Sequence, residues 1–304
     1  MNSLPPDRSH VATEGRHAQS AELDRLETGA IVDLLIDDHR AVTEAVLRGR
    51  AALTSLIDAL VPRVAEGGRL VSLGAGTSGR LAVLDASECP PTFQSDPDQI
   101  VGLIAGGDSA LRRSSEGAED DPRGAASQFG ELAIGERDTV LAIAAGGTTP
   151  YALGALELAK TRGAMTALLS CAAPGKTPSC CDHLLVFETG PEVLTGSTRL
   201  KAGSATKLAL NIITTTLFVR LGKTYGHFMV DLRASNAKLL DRGIRVVMSV
   251  DPTIANRADA AALLTRADGS VKVAIAMSRL GIERDAAERR LASAGGRLRD
   301  VLEG

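Results

Sequence analysis

The chain has 304 residues, of which 44% are hydrophobic and 23% charged, and its formal net charge is -3. This composition is ordinary for a globular protein, and the charge excludes the global basic field that recruits nucleic acid or an anionic membrane. No apolar run approaches the roughly 20 residues of a membrane-spanning helix, and the polar N-terminus up to Arg16 is unlike a signal peptide. We therefore expect a cytoplasmic protein with no nucleic-acid or membrane partner.

The N-terminal region is predicted to be helical after a flexible arm of about 18 residues. Apolar residues at helical spacing indicate a long amphipathic helix from about His39 to Ala65, with a kink or restart at Pro62. Such helices either pack against a second subunit or form a plain flanking layer, and the pattern leaves both possibilities open.

Short apolar runs then alternate with helical patterns. Runs of this kind are typical of strands buried in a parallel sheet, and the alternation favours a doubly wound α/β fold with five parallel strands. Ligands of such sheets bind at the carboxyl ends of the strands. The predicted strands are Leu70–Leu73, Ile100–Ala105, Thr139–Ala144, Met165–Ser170 and Leu184–Phe187.

We expect three parts along the chain. Residues 1–62 form the N-terminal arm and helices, and residues 63–226 form the sheet domain. Residues 227–304 form a connecting segment and a small C-terminal helical subdomain, with helix breaks at Gly269 and Gly281.

A glycine turn follows the first predicted strand. Gly74, Gly76 and Gly79 surround Thr77 and Ser78, and a helical pattern resumes at Leu81. Glycines let backbone N–H groups approach an anion, and a helix N-terminus adds partial positive charge, so this unit is a candidate phosphate cradle. A tight strand–helix connection without a ligand is the alternative. The helix is predicted to end at Pro90 and Pro91.

A second polar loop precedes the last long helix, predicted from about Ala205 to Leu221. The segment Thr195–Lys207 contains hydroxyl side chains with Arg199, Lys201 and Lys207. Hydroxyls and cations at a helix start suit a phosphate or carboxylate. A capped helix with a solvated charged turn explains the pattern equally well.

Two groups of carboxylates follow strand-end loops. Asp85 and Glu88 form one, and Glu116–Asp121 contains the other. Two carboxyls across a crevice can divide general acid and general base roles when their environments separate their pKa values. A solvated acidic turn is the alternative for the second group.

Four stretches carry specific motifs: Gly74–Phe93, Ile104–Asp120, Thr195–Asn211 and Gly226–Leu239. They include Gly-Ala-Gly-Thr-Ser-Gly-Arg, Asp-Ala-Ser-Glu-Cys-Pro-Pro-Thr, Glu-Gly-Ala-Glu-Asp and Met-Val-Asp. Together they resemble the N-acetylmuramic acid 6-phosphate etherase family of the sugar isomerase (SIS) superfamily, from about Thr13 to the C-terminus.

The resemblance implies an SIS-type fold, a homodimer and cleavage of a D-lactyl ether at C3 of a sugar phosphate. That chemistry needs two carboxyls and neither a metal nor a cofactor. Glu88 matches the family's proton donor, and Glu119 matches its second glutamate, the base at C2 or on the incoming water, with Glu116 as its rival. The substrate contacts expected from the match and the helix-start argument are Thr77, Ser78, Gly79, Ser87, Thr149, Ser197, Thr198 and Lys201.

The loop Ala145–Pro150 departs from the family pattern. The family usually has Ser at the position of Gly146 and Arg at that of Thr148. A missing hydrogen bond to a charged group costs about 1.5–3 kcal/mol, so phosphate binding is weakened unless Thr148 compensates. A non-catalytic sugar-phosphate regulator and a sugar phosphate isomerase are the alternative functions.

Overall fold

The computed structural model describes residues 7–113 and 115–304, apart from the side chain of Glu116. The chain divides into two compact units. The first contains the described residues up to Ser87 together with Asp98–Thr214, and the second contains Glu88–Pro97 and Thr215–Gly304. Among the described residues, no helix is long and apolar enough to cross a membrane.

The first unit is built on a sheet of five parallel strands in the order β2-β1-β3-β4-β5. The predicted α/β fold with five parallel strands is confirmed. The strands are β1 (Leu70–Gly74), β2 (Ile100–Ile104), β3 (Thr139–Ile143), β4 (Met165–Ser170) and β5 (His183–Val186).

Eight helices accompany these strands along the chain. They are α1 (Thr28–Asp38), α2 (Arg40–Arg48), α3 (Arg50–Ala65), α4 (Gly76–Phe93), α5 (Ser109–Arg112), α6 (Ala126–Glu131), α7 (Pro150–Thr161) and α8 (Lys201–Arg220). The division between the units falls within α4 and within α8.

The order of the sheet creates a crevice between β1 and β3. The chain moves from β1 to β2 on one side and then crosses to β3 on the other, so the connections leave in opposite directions. Gly74 pairs with both Ile104 and Ile143, so three strands end at one level. Open α/β sheets bind ligands at such a switch point.

Close packing explains two glycines of the first unit. A Cβ at Gly79 would lie 2.4 Å from the Gly74 carbonyl oxygen and 2.6 Å from Ile104 Cγ1. A Cβ at Gly49 would lie 2.5 Å from the Phe187 ring. Gly49 also separates α2 from α3, so the single helix predicted from His39 to Ala65 is two helices, and Pro62 lies inside the second.

The prediction that Pro90 and Pro91 end their helix is wrong, because α4 continues to Phe93. Each proline removes one helical hydrogen bond, but both lie within the last four residues of the helix. Phe93 is buried, and its ring stacks on Phe218 with centroids 4.5 Å apart. Aromatic burial therefore offsets the lost backbone bonds.

The prediction of a flexible arm is wrong for Val11 and Thr13, which are buried. A 3-10 turn spans Ala12–Glu14 and packs these two side chains inward. Residues 1–6 lie outside the described part of the chain.

The start of α8 also differs from its prediction, because the helix begins at Lys201, within the polar loop.

The second unit contains a helical core, as predicted for the C-terminal residues. Its hairpin strands are β6 (Thr224–Tyr225) and β7 (Phe228–Met229), and its helices are α9 (Ala237–Val250), α10 (Arg257–Arg266), α11 (Val271–Leu280), α12 (Arg284–Ser293) and α13 (Leu298–Glu303). Lys272 is buried within it and pairs with Asp231 at 2.6 Å. The three-part division of the chain remains a prediction.

Arg69 and Asp138 join the starts of β1 and β3. Arg69 Nε and Nη2 donate to the two Asp138 oxygens at 2.9 and 2.8 Å, and the Gly135 N–H adds a third bond. Burial alone would raise the pKa of Asp138, but these donors outweigh it and hold the pKa below its ordinary value.

We expect Asp138→Asn to lower the free energy of unfolding by about 1.5–3 kcal/mol at neutral pH. A carboxylate whose pKa is depressed by folding stabilises above its unfolded pKa of about 3.9 and loses that contribution as the pH falls through the folded value. Urea titrations from about pH 7 to about pH 3.5 should therefore show the deficit shrinking. Asp58→Asn, at an exposed position on α3, is the control, and a deficit independent of pH would contradict the role of the charge.

Candidate functional site

A cavity of about 260 Å³ lies at the carboxyl ends of β1 and β3, within the first unit. Its walls come from the loops after both strands, from the region before and within α8, and from the N-terminal segment. Most of the lining is polar. The lining residues are Arg8, Glu14, Ala75, Gly76, Thr77, Ser78, Leu81, Glu119, Ala145, Gly146, Thr148, Thr149, Thr198, Gly203 and Thr206.

The glycine turn forms one wall of this cavity. Helix α4 begins at Gly76, whose φ of 52° lies in the left-handed region that favours glycine. Thr77 and Ser78 follow in its first turn and line the cavity. A helix N-terminus with two hydroxyls suits an anion such as phosphate.

The starts of two further helices contribute to the lining. Thr149 is the N-cap of α7, and Thr148 precedes it. Thr198, Gly203 and Thr206 lie at the start of α8. The structure thus brings Thr77, Ser78, Thr149 and Thr198 together with Glu119 around one cavity, and their contacts with substrate remain predictions.

Buried charges occupy the N-terminus of α8 itself. Glu192 accepts the Lys201 and Ala202 N–H groups at 3.1 and 2.9 Å. Burial raises the pKa of Glu192 above its ordinary value, against the opposing effect of these two bonds. The Lys201 ammonium pairs with Asp38 at 2.6 Å and is 3% exposed.

Lys201 therefore differs in setting from the other predicted substrate contacts. Its ammonium is bound to Asp38, and Lys201 is not among the residues that line the cavity.

Gly79 lies where α4 packs on β1 and β2, which accounts for a glycine there. Ser197 is half-buried beside Thr198, and Ser87 is exposed with its hydroxyl donating to the Leu84 carbonyl at 2.8 Å.

The two predicted catalytic glutamates fall in different compact units. Glu119 lies in the 3-10 turn Glu116–Asp120 and lines the cavity. Glu88 is exposed on α4 and is the first residue of the second unit. The side chain of Glu116, the rival of Glu119, lies outside the described groups.

Sequence reasoning missed the contribution of the N-terminal segment. Arg8 and Glu14 line the cavity, although their region was predicted to be a flexible arm. Only two apolar or β-branched side chains, Val11 and Thr13, anchor this segment. Two such residues among residues 7–18 give no helical or strand periodicity, so no local pattern marks the segment as ordered.

Metal ligands and thiols are two further kinds of group that could act at a site of this kind. Among the described residues, no group of three His, Cys, Asp or Glu side chains could hold a metal ion. Cys171 lies under the start of α8, where burial raises the pKa of its thiol to about 12. That thiol is therefore protonated at neutral pH and is no nucleophile.

A larger groove of about 690 Å³ lies in the second unit. No residue predicted from the sequence to bind or act on substrate lines it. Its lining consists of His227, Phe228, Met229, Arg242, Arg245, Val246, Met248, Ser249 and Arg257. The smaller cavity at the strand ends is therefore the candidate site.

Comparison with known proteins identifies the family. A protein of Rubrobacter xylanophilus named N-acetylmuramic acid 6-phosphate etherase is 50% identical over 283 residues, covering 93% of each chain. Proteins of the same name from Synechococcus sp. (strain CC9605) and Streptomyces coelicolor are each 47% identical, covering 97% and 99% of this chain and 93% and 98% of theirs. The chain belongs to the N-acetylmuramic acid 6-phosphate etherase family.

A domain family model and a solved structure each match part of the chain. Residues 52–160 match the family model of the glucokinase regulatory protein N-terminal SIS domain. The structure of a phosphoheptose isomerase from Neisseria gonorrhoeae has a TM-score of 0.45 at 14% identity, covering 62% of this chain and 97% of that one. The family assignment rests on the sequence relatives alone.

We expect Gly146→Ser to strengthen binding of inorganic phosphate at the cavity. A Cβ at Gly146 would lie 3.4 Å from Val11 Cγ1 and 3.7 Å from Thr13 Oγ1, so a small side chain fits. One hydrogen bond to an anion is worth about 1.5–3 kcal/mol, or about a 10- to 100-fold gain in affinity by calorimetry. Gly146→Ala adds the Cβ without the hydroxyl, and equal affinities of the two variants would contradict this expectation.

Proposed function

We propose that the protein cleaves the D-lactyl ether of N-acetylmuramic acid 6-phosphate to give N-acetylglucosamine 6-phosphate and D-lactate. The observation that carries this proposal is 45–50% identity, over nearly the whole chain, to proteins named for that reaction. The enzyme is then a carbon–oxygen lyase of N-acetylmuramate catabolism and peptidoglycan recycling, and we place it in the cytoplasm.

The cavity suits the phosphate end of this substrate. Thr77 and Ser78 at the start of α4, and Thr148 and Thr149 at the start of α7, line it together. Hydroxyl donors and helix N-termini are the usual protein partners of a phosphate group. These groups supply positioning rather than chemistry, so the reaction falls to the carboxylates.

The proposed reaction is an elimination followed by addition of water. In the open-chain sugar, the C1 aldehyde acidifies the C2 proton. A base removes that proton, the C3–O bond breaks, and an acid protonates the departing lactate oxygen. Water then adds its hydroxyl to C3 and a proton to C2, which gives the amino sugar phosphate and requires no metal or cofactor.

Two glutamates fill the acid and base roles in this proposal. Glu119 lines the cavity that would hold the sugar phosphate, which supports it as the base at C2 or on the incoming water. Glu88 is assigned as the proton donor to lactate by its place in the Asp-Ala-Ser-Glu-Cys-Pro-Pro-Thr motif.

We further propose that the working enzyme is a homodimer that uses helix α1. None of the apolar residues on this helix is buried, although five of its eleven positions are Ile, Val or Leu. Val32 and Ile36 lie one turn apart on it and are 48% and 61% exposed. An apolar helix face of this kind is typical of a subunit interface.

We expect Glu119→Gln and Glu88→Gln each to reduce D-lactate release from N-acetylmuramic acid 6-phosphate by about 10²- to 10⁴-fold. Each change removes a proton-transfer group while keeping the size of the side chain. Release is measured enzymatically on the purified protein, and binding of the phosphosugar is measured by calorimetry. Glu66→Gln, at an exposed position after α3, is the control.

The outcomes of this experiment separate the candidate functions. Full activity in either glutamine variant would refute the role of that glutamate. Conversion of a sugar phosphate to an isomer of equal mass would instead identify an isomerase. Binding without any conversion by the native protein would indicate a regulator, the function named by the matching SIS family model.

We expect the double change Val32→Glu and Ile36→Glu to convert the dimer to a monomer. Two carboxylates on one helix face would have to be buried against each other across the interface. Light scattering during gel filtration gives the mass, which should fall from two chains to one. Leu240→Glu, at an exposed position in the second unit, is the control, and an unchanged mass would place the interface elsewhere.

A further inference from the structure

The charged side chains that line the cavity are mainly negative, which does not favour an anionic ligand. Glu14 and Glu119 carry negative charge, and Arg8 is the one Lys or Arg among the lining residues of the described chain. A phosphate monoester carries about -1.5 to -2 at neutral pH, so the two glutamates repel it. Hydroxyls donate hydrogen bonds to phosphate but do not offset this repulsion.

Two lysines near the site have other partners. The Lys201 ammonium pairs with buried Asp38 at 2.6 Å. The Lys207 ammonium lies 2.5 Å from Asp85 Oδ1, and the Asp85 side chain is 6% exposed. Withdrawing either cation would leave a buried carboxylate unpaired, which is costly. Neither lysine is therefore available to a ligand without that loss.

The Arg8 guanidinium has no such partner among the described residues. It forms no hydrogen bond or ion pair with the part of the chain that the structure describes, whereas its backbone carbonyl accepts the Val11 N–H at 2.9 Å. The side chain is exposed and lines the cavity. The guanidinium can therefore turn to an anion without breaking an interaction with the described residues.

The segment that carries Arg8 is fixed to the first unit. Val11 is 5% exposed and Thr13 is fully buried, and both lie beside Gly146. Further along, His17 Nε2 lies 3.3 Å from Asp38, the partner of Lys201. The segment therefore crosses the loop after β3, and Arg8 is held beside the cavity rather than on a free end.

We propose that Arg8 is the cationic contact for the phosphate of the substrate in this cavity. Its guanidinium donates to phosphate oxygens beside Thr77 and Ser78 and offsets the charges of Glu14 and Glu119. Arg8 is then a binding residue that sets specificity for phosphorylated sugars. The inference rests on the proposed function for the identity of the ligand, and it gives the N-terminal segment a role in the site.

The test compares Arg8→Gln, Arg8→Lys and the native full-length protein by calorimetry. The ligands are N-acetylglucosamine 6-phosphate, N-acetylglucosamine without phosphate, and D-lactate. We expect Arg8→Gln to bind the phosphosugar about 10- to 100-fold more weakly and to bind the unphosphorylated sugar as the native protein does. Arg8→Lys should recover part of the loss, because it restores the charge but not the bidentate geometry.

The control is Arg50→Gln, which makes the same change in net charge at an exposed position on α3 away from the cavity. It should bind the phosphosugar as the native protein does. Thermal unfolding of both variants should match the native protein, since both side chains are exposed. The difference between Arg8→Gln and the native protein should shrink at high salt, as expected for an ionic contact at an exposed site.

Equal phosphosugar affinity in Arg8→Gln and the native protein would overturn the proposal. So would an equal loss for all ligands, or a loss confined to D-lactate, which would assign Arg8 to the carboxylate end. In kinetics, we expect KM for lactate release to rise with kcat nearly unchanged. A native protein that binds the phosphosugar but releases no lactate would refute the proposed reaction and leave the Arg8 comparison intact.

Discussion

The candidate site depends on one constraint, the common level at which β1, β2 and β3 end. Gly74 pairs with Ile104 on one side and with Ile143 on the other, so the loops after the three strands leave from the same edge. Helix α4 can start there only because Gly74 and Gly79 lack side chains where the helix meets the sheet. Any Cβ at Gly79 would clash with the Gly74 carbonyl oxygen and Ile104, so the helix start that carries Thr77 and Ser78 would have to shift.

A group of buried charged residues fixes the start of α8, which forms another part of the cavity wall. Asp38 ends α1, Lys201 begins α8, and Glu192 accepts the first two N–H groups of that helix. Removing charges from water costs several kcal/mol per ion, so such a pair adds little net stability, but removing one partner costs about 3–5 kcal/mol. The group therefore fixes the position of α8 more than it stabilises the fold. His17 joins the N-terminal segment to the same carboxylate.

The cavity contains some groups that attract an anion and others that repel it. The starts of α4 and α7 contribute partial positive charge and hydroxyl groups, whereas Glu14 and Glu119 contribute negative charge. Under the proposed function, the positive groups would hold the phosphate of the substrate, and Glu119 would act on its sugar.

The sheet, its five strands and the polar loops at their ends could be predicted from the sequence alone, because buried strands and glycine turns are local patterns. It also singled out Thr77, Ser78, Thr149, Thr198 and Glu119, which the fold gathers around one cavity. Which cations face that cavity depends on long-range contacts in the folded chain. Lys201 has the residue type and position of an anion contact, yet a partner 163 residues away in the chain binds its ammonium. Arg8 has no pattern around it and lines the cavity because Val11 and Thr13 are buried against a loop more than 130 residues later. Long-range pairing of charges and packing of isolated side chains leave no periodicity in the sequence.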